Sequence, residues 1–276
     1  MTFKQLVKTG VNRLGLNVTR FPPQHLLSSC VRDLLTEGQI NLVLDVGAFH
    51  GAYCKLLRHE AGYTGRIVSF EPCAESFRML SAQMAADPSW DGYPLALGSA
   101  DATAVLNTYG DRGDFNSILP IRNDYALAFR VGLENPTAER VRVNTIDTIW
   151  DHITRGIEHP RVFLKIDTQG YDVEVILGAR HHLRCVYAVQ SELPAIEIYE
   201  GMTSMPRALE LCRELGYAPV GFWPVSTPPR LGVPPEFDVI LKRLPEQEFL
   251  RSRRRRDAEE QGANSGEDSA LGSACD

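Results

Sequence analysis

The sequence predicts an α/β fold: a doubly wound, mainly parallel sheet with helices on both faces and a C-terminal antiparallel β-ribbon. From Gln39 onward, short apolar strands alternate with amphipathic helices. The links between them are short, as the connections of a wound parallel sheet are. Two last apolar runs, residues 217–222 and 237–242, flank a proline-rich loop and predict the ribbon.

Each element of the first half has a local signal. Continuous apolar runs predict strands that are covered on both faces, and amphipathic stretches between them predict crossover helices. In order, we expect a helix over 24–36, a strand ending at Val46, a helix over 51–60, a strand over 66–70, a helix over 74–85 and a strand over 91–97.

The second half begins less regularly and then returns to the same alternation. We expect short alternating strands over 104–109 and 140–144, a strand over 161–167, a helix over 171–179, a strand over 185–192 and a helix over 206–215. The loop between the two short strands is rich in Gly, Asp and Asn. Such loops often shape substrate pockets, and we expect the same of the proline-rich loop.

Length and charge suggest the organisation of the chain. Its 276 residues, 43% of them hydrophobic, can build one sizeable core. We expect an N-terminal helical segment over 1–38, a folded domain over 39–245 and a disordered tail over 246–276, which has almost no large apolar residues. The net charge of -6 argues against nucleic acid as the main partner, because phosphate binding needs a basic excess.

Cysteine usage and hydropathy predict a cytoplasmic protein. The six cysteines contain no Cys-x-x-Cys pair, which favours reduced thiols over a disulfide framework. No segment reaches the roughly 20 apolar residues of a membrane span, and the N-terminus lacks a signal-peptide block. The first helix is interpreted as packing over the sheet. Peripheral contact with a membrane or a partner is the alternative, and the oligomeric state stays open.

The first strand-to-helix turn predicts a cofactor site. Gly47 and Gly51 lack side chains, so the backbone there can pass close to a ligand. Glu71 ends the second strand about twenty residues later, where an acid can accept hydrogen bonds from ribose hydroxyls. We therefore expect an adenosine-bearing cofactor, with its adenine near Leu97 or Asp101 beyond the third strand.

Two cofactor classes use an acid at this place, nicotinamide dinucleotides and S-adenosylmethionine. The dinucleotide motif has its middle glycine where this chain has Phe49, whose bulk opposes close approach of a pyrophosphate. Asp45, two residues before the first glycine, suits a positively charged ligand, either beneath a methionine ammonium or bonded to the turn. S-adenosylmethionine is favoured, and an NAD-dependent oxidoreductase is the alternative.

Four motifs in a fixed order resemble the FkbM family of methyltransferases over about residues 40–243. They are Asp45-x-Gly47-x-x-x-Gly51, Phe70-Glu71-Pro72, Lys165-Ile166-Asp167-x-Gln169-Gly170, and Glu192 with Tyr199-Glu200-Gly201. The resemblance implies a class I, Rossmann-like methyltransferase domain over 39–245. It also implies O-methylation of hydroxyls on sugars, glycolipids or polyketide-type products. Phe49 departs from the usual Asn of the family, which keeps a non-catalytic binding module as a further alternative.

Two acids are the candidates for chemistry on the acceptor. Asp167 ends the central strand and Glu192 ends the next one, and open α/β sheets bind ligands outside such strand ends. Either acid can bind the acceptor hydroxyl or act as the general base. The structural alternatives are that Asp167 caps the following helix and that Glu192 pairs with Lys165. The histidine spacings predict no metal site.

Overall fold

A seven-stranded sheet runs through the computed structural model, which describes residues 27–109, 113, 115–125, 137–225 and 232–249. Residues 250–276 of the expected tail and residues 1–26 of the expected N-terminal helical segment lie outside these residues, whereas residues 246–249 of that tail are described and form a helical turn. The strands are β1 (Leu42–Val46), β2 (Arg66–Phe70), β3 (Trp90–Tyr93), β4 (Ala96–Leu97), β5 (Ala102–Thr108), β6 (Thr137–Asn144), β7 (Val162–Ile166), β8 (Val186–Pro194), β9 (Tyr217–Pro224) and β10 (Glu236–Arg243).

Helices cover both faces of this sheet, as predicted. They are α1 (Leu27–Glu37), α2 (Ala52–Lys55), α3 (Ala74–Met84), α4 (Ile146–Ile153), α5 (Asp172–Leu177) and α6 (Met205–Glu214), with a π-helical turn at Leu56–Glu60 and a 3₁₀ turn at Leu183–Cys185. Apolar side chains of α1 to α3 pack on one face, and those of α4 to α6 pack on the other. The described helices do not combine the length and apolar character needed to cross a membrane.

The strand order of the large sheet is β3-β2-β1-β7-β8-β10-β9. The first five strands are parallel, whereas β10 runs antiparallel to both β8 and β9. The predicted fold class, including the C-terminal ribbon, is confirmed. The chain winds outward from β1 to β3 and then returns to β7 on the other side of β1. Ligand sites of wound sheets form where this direction reverses.

The predicted strand over 91–97 is wrong as a single element. Its first part is β3 at the edge of the large sheet, while its last two residues form β4 in a separate three-stranded sheet with β6 and β5. Pro94 lies between the two parts, and its missing N–H interrupts a hydrogen-bonded ladder. This break turns the chain toward the cavity that Leu97 lines.

Helix α4 was not predicted, although its signals are local. The Thr148 amide donates to the Thr145 hydroxyl at 2.9 Å, which caps the first turn. Ile146, Trp150 and Ile153 are buried at helical spacing. The helix therefore forms from an N-cap and one apolar face.

One face of the sheet changes from apolar to polar toward the carboxyl ends of the parallel strands. Val43 and Phe163 lie side by side in the core on this face, with β1 and β7 in register. Two residues further along the same strands, Asp45 lies beside Lys165. Because alternate residues share a face, the next pair on this side is Gly47 and Asp167. Strand register therefore brings charged side chains to the reversal point.

The end of β1 meets the end of β7 at Gly47, where a side chain has no room. Gly47 has φ +75°, and a Cβ there would overlap the carbonyl oxygen of Asp167. The glycine thus allows the close approach of two protein segments. Gly51, at φ +78°, lies against the Trp90 ring, and a Cβ there would overlap that ring.

We predict that Gly47→Ala lowers the free energy of unfolding much more than Gly62→Ala. Gly62 has a similar φ of +68° with open space around it, so its alanine carries only the left-handed backbone strain of about 1–2 kcal/mol. Gly47→Ala adds the overlap with Asp167, at about 1–3 kcal/mol more. Urea denaturation measures both variants. Equal losses would show that the close contact is unimportant.

Candidate active site

A cavity of about 240 Å³ opens at the carboxyl ends of β1, β2 and β7. Four of the predicted site residues line it: Gly47, Glu71, Leu97 and Asp167. The other four, Asp45, Gly51, Asp101 and Glu192, are not among its lining residues. The structure therefore brings the two strand-end acids Glu71 and Asp167 to one space, and Glu192 contacts the lining residue Gln169.

Glu71 is held in place by the backbone around it. The Phe49 amide donates to Glu71 Oε2 at 2.8 Å, and the Cys73 amide donates to Oε1 at 2.9 Å. Burial raises the pKa of Glu71 to about 7, although the two amide hydrogen bonds oppose the rise. Each oxygen keeps a second lone pair, so the carboxylate can still accept hydrogen bonds from a ligand.

Phe49 and Gln169 line the cavity in a backbone conformation that is rare for their residue types. Their φ angles are +48° and +54°, in the left-handed region that residues other than Gly and Asn seldom adopt. The Phe49 ring stacks on His50 with centroids 3.6 Å apart. Such strain persists where the surrounding structure over-determines the conformation, and it concentrates at functional sites.

One wall of the cavity is apolar. It is formed by Leu95, Leu97, Leu106 and Ile118, with the Tyr171 ring also lining the space. Leu97 is part of β4, which pairs in parallel with β6. Flat apolar walls suit the face of an aromatic ring, whereas polar groups near the edge give orientation.

Lys165 is a buried cation between two carboxylates. Its Nζ lies 3.2 Å from Asp167 Oδ2 and 3.6 Å from Asp45 Oδ1. Asp45 is fully buried and accepts a hydrogen bond from the Ser69 hydroxyl at 3.1 Å. Burial raises the pKa of Asp45. Burial alone would lower the pKa of Lys165, but the charges of Asp167 and Asp45 outweigh this effect and raise it. Lys165 also donates to the Gly47 carbonyl at 3.5 Å, so it joins the two strand ends.

Asp167 and Glu192 form a hydrogen-bonded carboxylate pair. Burial opposes the charge of Asp167, but Lys165 and the hydrogen bonds from Gln169 and Glu192 outweigh it and lower the Asp167 pKa. Burial and the neighbouring charge of Asp167 raise the pKa of Glu192 well above its ordinary value. The two shifts have opposite directions, so Asp167 is the more acidic member of the pair and Glu192 the more basic one.

Further carboxylates surround this pair from the neighbouring strand. Asp238 on β10 lies opposite Glu192 in the strand register. Burial, with Asp167 as the largest charge contribution, raises the pKa of the buried Glu236 to about 8. Within the described ranges, no group of three His, Cys, Asp or Glu side chains is arranged to hold a metal ion. The region is therefore acidic without forming a recognisable cation site there.

The alternatives for the two acids have clear outcomes. The N-cap residue of helix α5 is Tyr171, which makes no side-chain cap hydrogen bond, so Asp167 is not the cap of this helix. Asp172 instead holds the turn, since its carboxylate accepts from the Thr168 amide at 2.9 Å and from the Ser191 hydroxyl at 2.8 Å. Lys165 forms its ion pairs with Asp45 and Asp167. Glu192 instead accepts a hydrogen bond from the Gln169 amide.

Asp101 contacts the start of α4. Its Oδ1 accepts from the Thr145 amide at 2.8 Å, and its Oδ2 accepts from the Thr148 hydroxyl at 2.9 Å. These exposed hydrogen bonds lower the pKa of Asp101. Asp101 thus fixes the loop after β4 to the next helix, beside the apolar wall.

Sequence reasoning missed the roles of Gln169 and Tyr199. Gln169 Nε2 donates to both Asp167 and Glu192, and the Tyr199 hydroxyl donates to Gln169 Oε1 at 2.7 Å. Gln169 belongs to the Lys165-Ile166-Asp167-x-Gln169-Gly170 motif, but the sequence does not show where its side-chain amide points. Tyr199 lies thirty residues later, and only the fold brings it to the site.

We predict that Lys165→Met lowers the free energy of unfolding by about 3 kcal/mol, because it leaves the fully buried carboxylate of Asp45 without a cation. The folded-state pKa of Asp167 is lowered, so its stabilisation is present above its ordinary pKa. It is lost as pH falls through the lowered value, so the variant and the parent should converge in acid. Urea denaturation across pH tests this.

Lys242→Met is the matched control for this variant. Lys242 forms an ion pair with Glu37 at the surface, with side chains 32% and 59% exposed. Exposed pairs contribute about 0–1 kcal/mol, so this loss should be small. Similar losses in the two variants would contradict a special role for Lys165.

Several solved structures resemble the chain weakly. An FkbM methyltransferase from Methylobacillus flagellatus KT is 16% identical with a TM-score of 0.42, over 74% of this chain and 44% of that chain. The chain thus spans less than half of that protein. A magnesium protoporphyrin IX methyltransferase from Synechocystis PCC 6803 with bound SAM is 11% identical with a TM-score of 0.43, over 88% and 98% of the two chains. An rRNA methylase from Streptococcus thermophilus is 14% identical with a TM-score of 0.41, over 83% and 100%.

No curated protein sequence matches the chain significantly. The family model of the methyltransferase FkbM domain, however, matches residues 45–219, which include Asp45, Glu71, Asp167 and Glu192. This match covers more than half of the chain and agrees with the resemblance of its motifs. The chain belongs to the FkbM methyltransferase family, whose members depend on S-adenosylmethionine.

Proposed function

We propose that the chain is an O-methyltransferase that transfers the methyl group of S-adenosylmethionine to a hydroxyl of a sugar, glycolipid or polyketide-type small molecule. The observation that carries this proposal is the pair of carboxyl groups of Asp167 and Glu192, which the Gln169 amide bridges, because Asp167 lines the same cavity as Glu71. A cytoplasmic location belongs to the proposal. The free thiols of the five described cysteines support it.

The residues of the cavity fit the cofactor. Glu71 would accept the two ribose hydroxyls, one on each oxygen, while the Phe49 and Cys73 amides keep the carboxylate in place. Leu97 and the neighbouring apolar wall would contact the adenine ring. When bound, the cofactor supplies a methyl group on a positively charged sulfur.

Three predicted cofactor residues do not line the cavity and would instead support the segments around it. Asp45 balances Lys165, which in turn contacts Gly47 and Asp167. Gly51 shapes the first turn against the Trp90 ring. Asp101 anchors the loop after the apolar wall. We assign these three residues supporting positions around the cofactor.

The carboxylate pair would bind and deprotonate the acceptor hydroxyl. The bound cofactor would supply the methyl group to the oxygen, with the electron pair of its carbon–sulfur bond left on sulfur. The pair would take the hydroxyl proton onto a carboxylate oxygen. Holding the hydroxyl in line with the methyl group supplies several kcal/mol of the barrier. A positioned base adds about 10²- to 10⁴-fold in rate.

The charges around the pair favour an uncharged acceptor. Asp167 lines the cavity with Asp172 and Asp238 close to the pair, and Lys165 is a cation that contacts Asp167. A phosphorylated or carboxylated acceptor would be repelled there. Hydroxyl groups instead donate hydrogen bonds to carboxylates. This supports a neutral, hydroxyl-rich substrate.

The proposed function is tested by binding and by product formation. Calorimetry should show that the protein binds S-adenosylmethionine and does not bind NADH. Extracts incubated with the protein and methyl-labelled cofactor should yield a small molecule heavier by one labelled CH₂ group, found by mass spectrometry. Cofactor binding without any product would instead support a non-catalytic module. NADH binding alone would support an oxidoreductase.

We predict that cofactor affinity rises with pH around neutrality because of Glu71. Hydroxyl donors favour the ionised carboxylate, and the pKa of Glu71 is about 7 in the free protein. Between about pH 6 and pH 8, affinity should increase as the carboxylate ionises, since binding releases its proton. Glu71→Gln should weaken binding about tenfold or more and remove this part of the pH dependence.

Glu75→Gln is the control for that variant. Glu75 lies in the first turn of α3 and is exposed. The control should keep the parent's pH dependence of calorimetric affinity. If Glu71→Gln also keeps it, Glu71 does not hold the ribose.

We predict that Asp167→Asn and Glu192→Gln each slow methyl transfer by about 10²- to 10⁴-fold, because the neutral amide cannot accept the hydroxyl proton. Single-turnover assays with the acceptor found by mass spectrometry measure the rate. Calorimetry checks that cofactor binding is retained. Parent-like transfer in both variants would remove the pair from the chemistry.

A further inference from the structure

The side-chain amide of Gln169 joins the two carboxylates of the pair. Its Nε2 donates to Asp167 Oδ1 at 3.1 Å and to Glu192 Oε2 at 3.0 Å. An amide nitrogen carries two hydrogens, so both are used on the carboxylates. A neutral donor thus holds two groups that would repel each other if both were ionised.

Tyr199 determines which way this amide points. Its hydroxyl lies 2.7 Å from Gln169 Oε1 and 3.3 Å from the Phe115 carbonyl oxygen, and both of these atoms are acceptors. The single phenol hydrogen is therefore donated to the closer Oε1. A flipped amide would place its oxygen against the carboxylates and its nitrogen against the donor. The observed orientation is the one that satisfies all the partners.

The surroundings of Gln169 are rigid. The Ser117 hydroxyl donates to the Gln169 carbonyl at 2.7 Å, and the ring of Tyr199 is fully buried. Gly170, at φ +91°, lets Tyr199 and Met202 pack directly against the turn. The left-handed backbone of Gln169 is thus held from several sides, and its side chain projects toward the pair.

We propose that Gln169 is a positioning residue, which acts by holding Asp167 and Glu192 in one orientation, and that Tyr199 sets the orientation of its amide. This inference rests on the proposed function, since it assigns a role relative to the proposed base. Gln169 itself need not touch the acceptor. Its role is to hold the two carboxyl groups in one geometry beside the cavity.

Several charged and titratable groups face the pair. Lys165 contacts Asp167 from the neighbouring position on β7, and Asp172, Glu236 and Asp238 face Glu192 from α5 and β10. Tyr125 and Tyr199 face Glu192 from the adjoining loops. These groups remain in place when Gln169 is changed, so the effect of its amide can be measured separately.

The test follows the protonation of Glu192 directly and needs no acceptor. The full chain is labelled with carbon-13 at the glutamate carboxyls, and the Glu192 resonance is identified by its loss in Glu192→Gln. Gln169→Met keeps the size of the side chain and removes both hydrogen bonds to the pair. The Glu192 titration midpoint should rise by about one pH unit, because a donor to the charged form is lost.

Tyr199→Phe and Tyr217→Phe are a matched pair of variants. Both tyrosines are buried. Tyr217 lies in the core beneath α4 to α6, away from Gln169, and its hydroxyl donates to the Val186 carbonyl at 2.9 Å. Both variants should therefore lose thermal stability to a similar degree. Only Tyr199→Phe should raise the Glu192 midpoint, because only that change frees the Gln169 amide to turn.

An unchanged Glu192 midpoint in Gln169→Met, or equal shifts in the two phenylalanine variants, would overturn the proposal. If Gln169→Met does not fold, Gln169→Asn replaces it, since Asn tolerates the left-handed backbone and its shorter amide cannot reach the pair. Calorimetry of the parent with S-adenosylmethionine separates the two questions. Absent cofactor binding contradicts the proposed function, whereas a failed titration test with normal binding contradicts only the role of Gln169.

Discussion

The structure of the candidate site depends on one buried ammonium group. Lys165 lies between Asp45 on β1 and Asp167 at the end of β7, and it also donates to the Gly47 carbonyl. Asp45 is fully buried and needs a cation nearby, because desolvation alone would keep it neutral, whereas the Asp167 side chain is 39% exposed. The lysine therefore keeps Asp167 charged where the sheet reverses its winding. It also ties the first cofactor turn to the turn that carries the carboxylate pair.

The site combines this charge with two strained backbone positions. Phe49 places its amide against Glu71, and Gln169 places its side chain between Asp167 and Glu192; both have positive φ angles. Each strained residue thus aligns the acid beside it. Hydrogen bonds and packing from distant segments offset the strain, as expected for a preorganised site.

Local signals in the sequence predicted most of the fold, and four of the eight predicted site residues line the cavity. The alternation of strands and helices, and the acids at the strand ends, are short-range patterns, so Glu71 and Asp167 could be placed in advance. The split at Pro94 and helix α4 were missed, because a proline inside an apolar run and a single N-cap were given too little weight. Asp101 contacts Thr145, which only the folded chain brings near.

The sequence by itself determined the periodicity, the glycines of the first turn and the types of acid at each strand end. These follow from side-chain alternation and from residues a few positions apart. Only the tertiary structure decided which acids lie together, which carbonyl excludes a side chain at Gly47, and where the Gln169 amide points. Those outcomes depend on strand register and on Tyr199, which are long-range consequences of packing. Distances and desolvation exist only after the sheet has assembled.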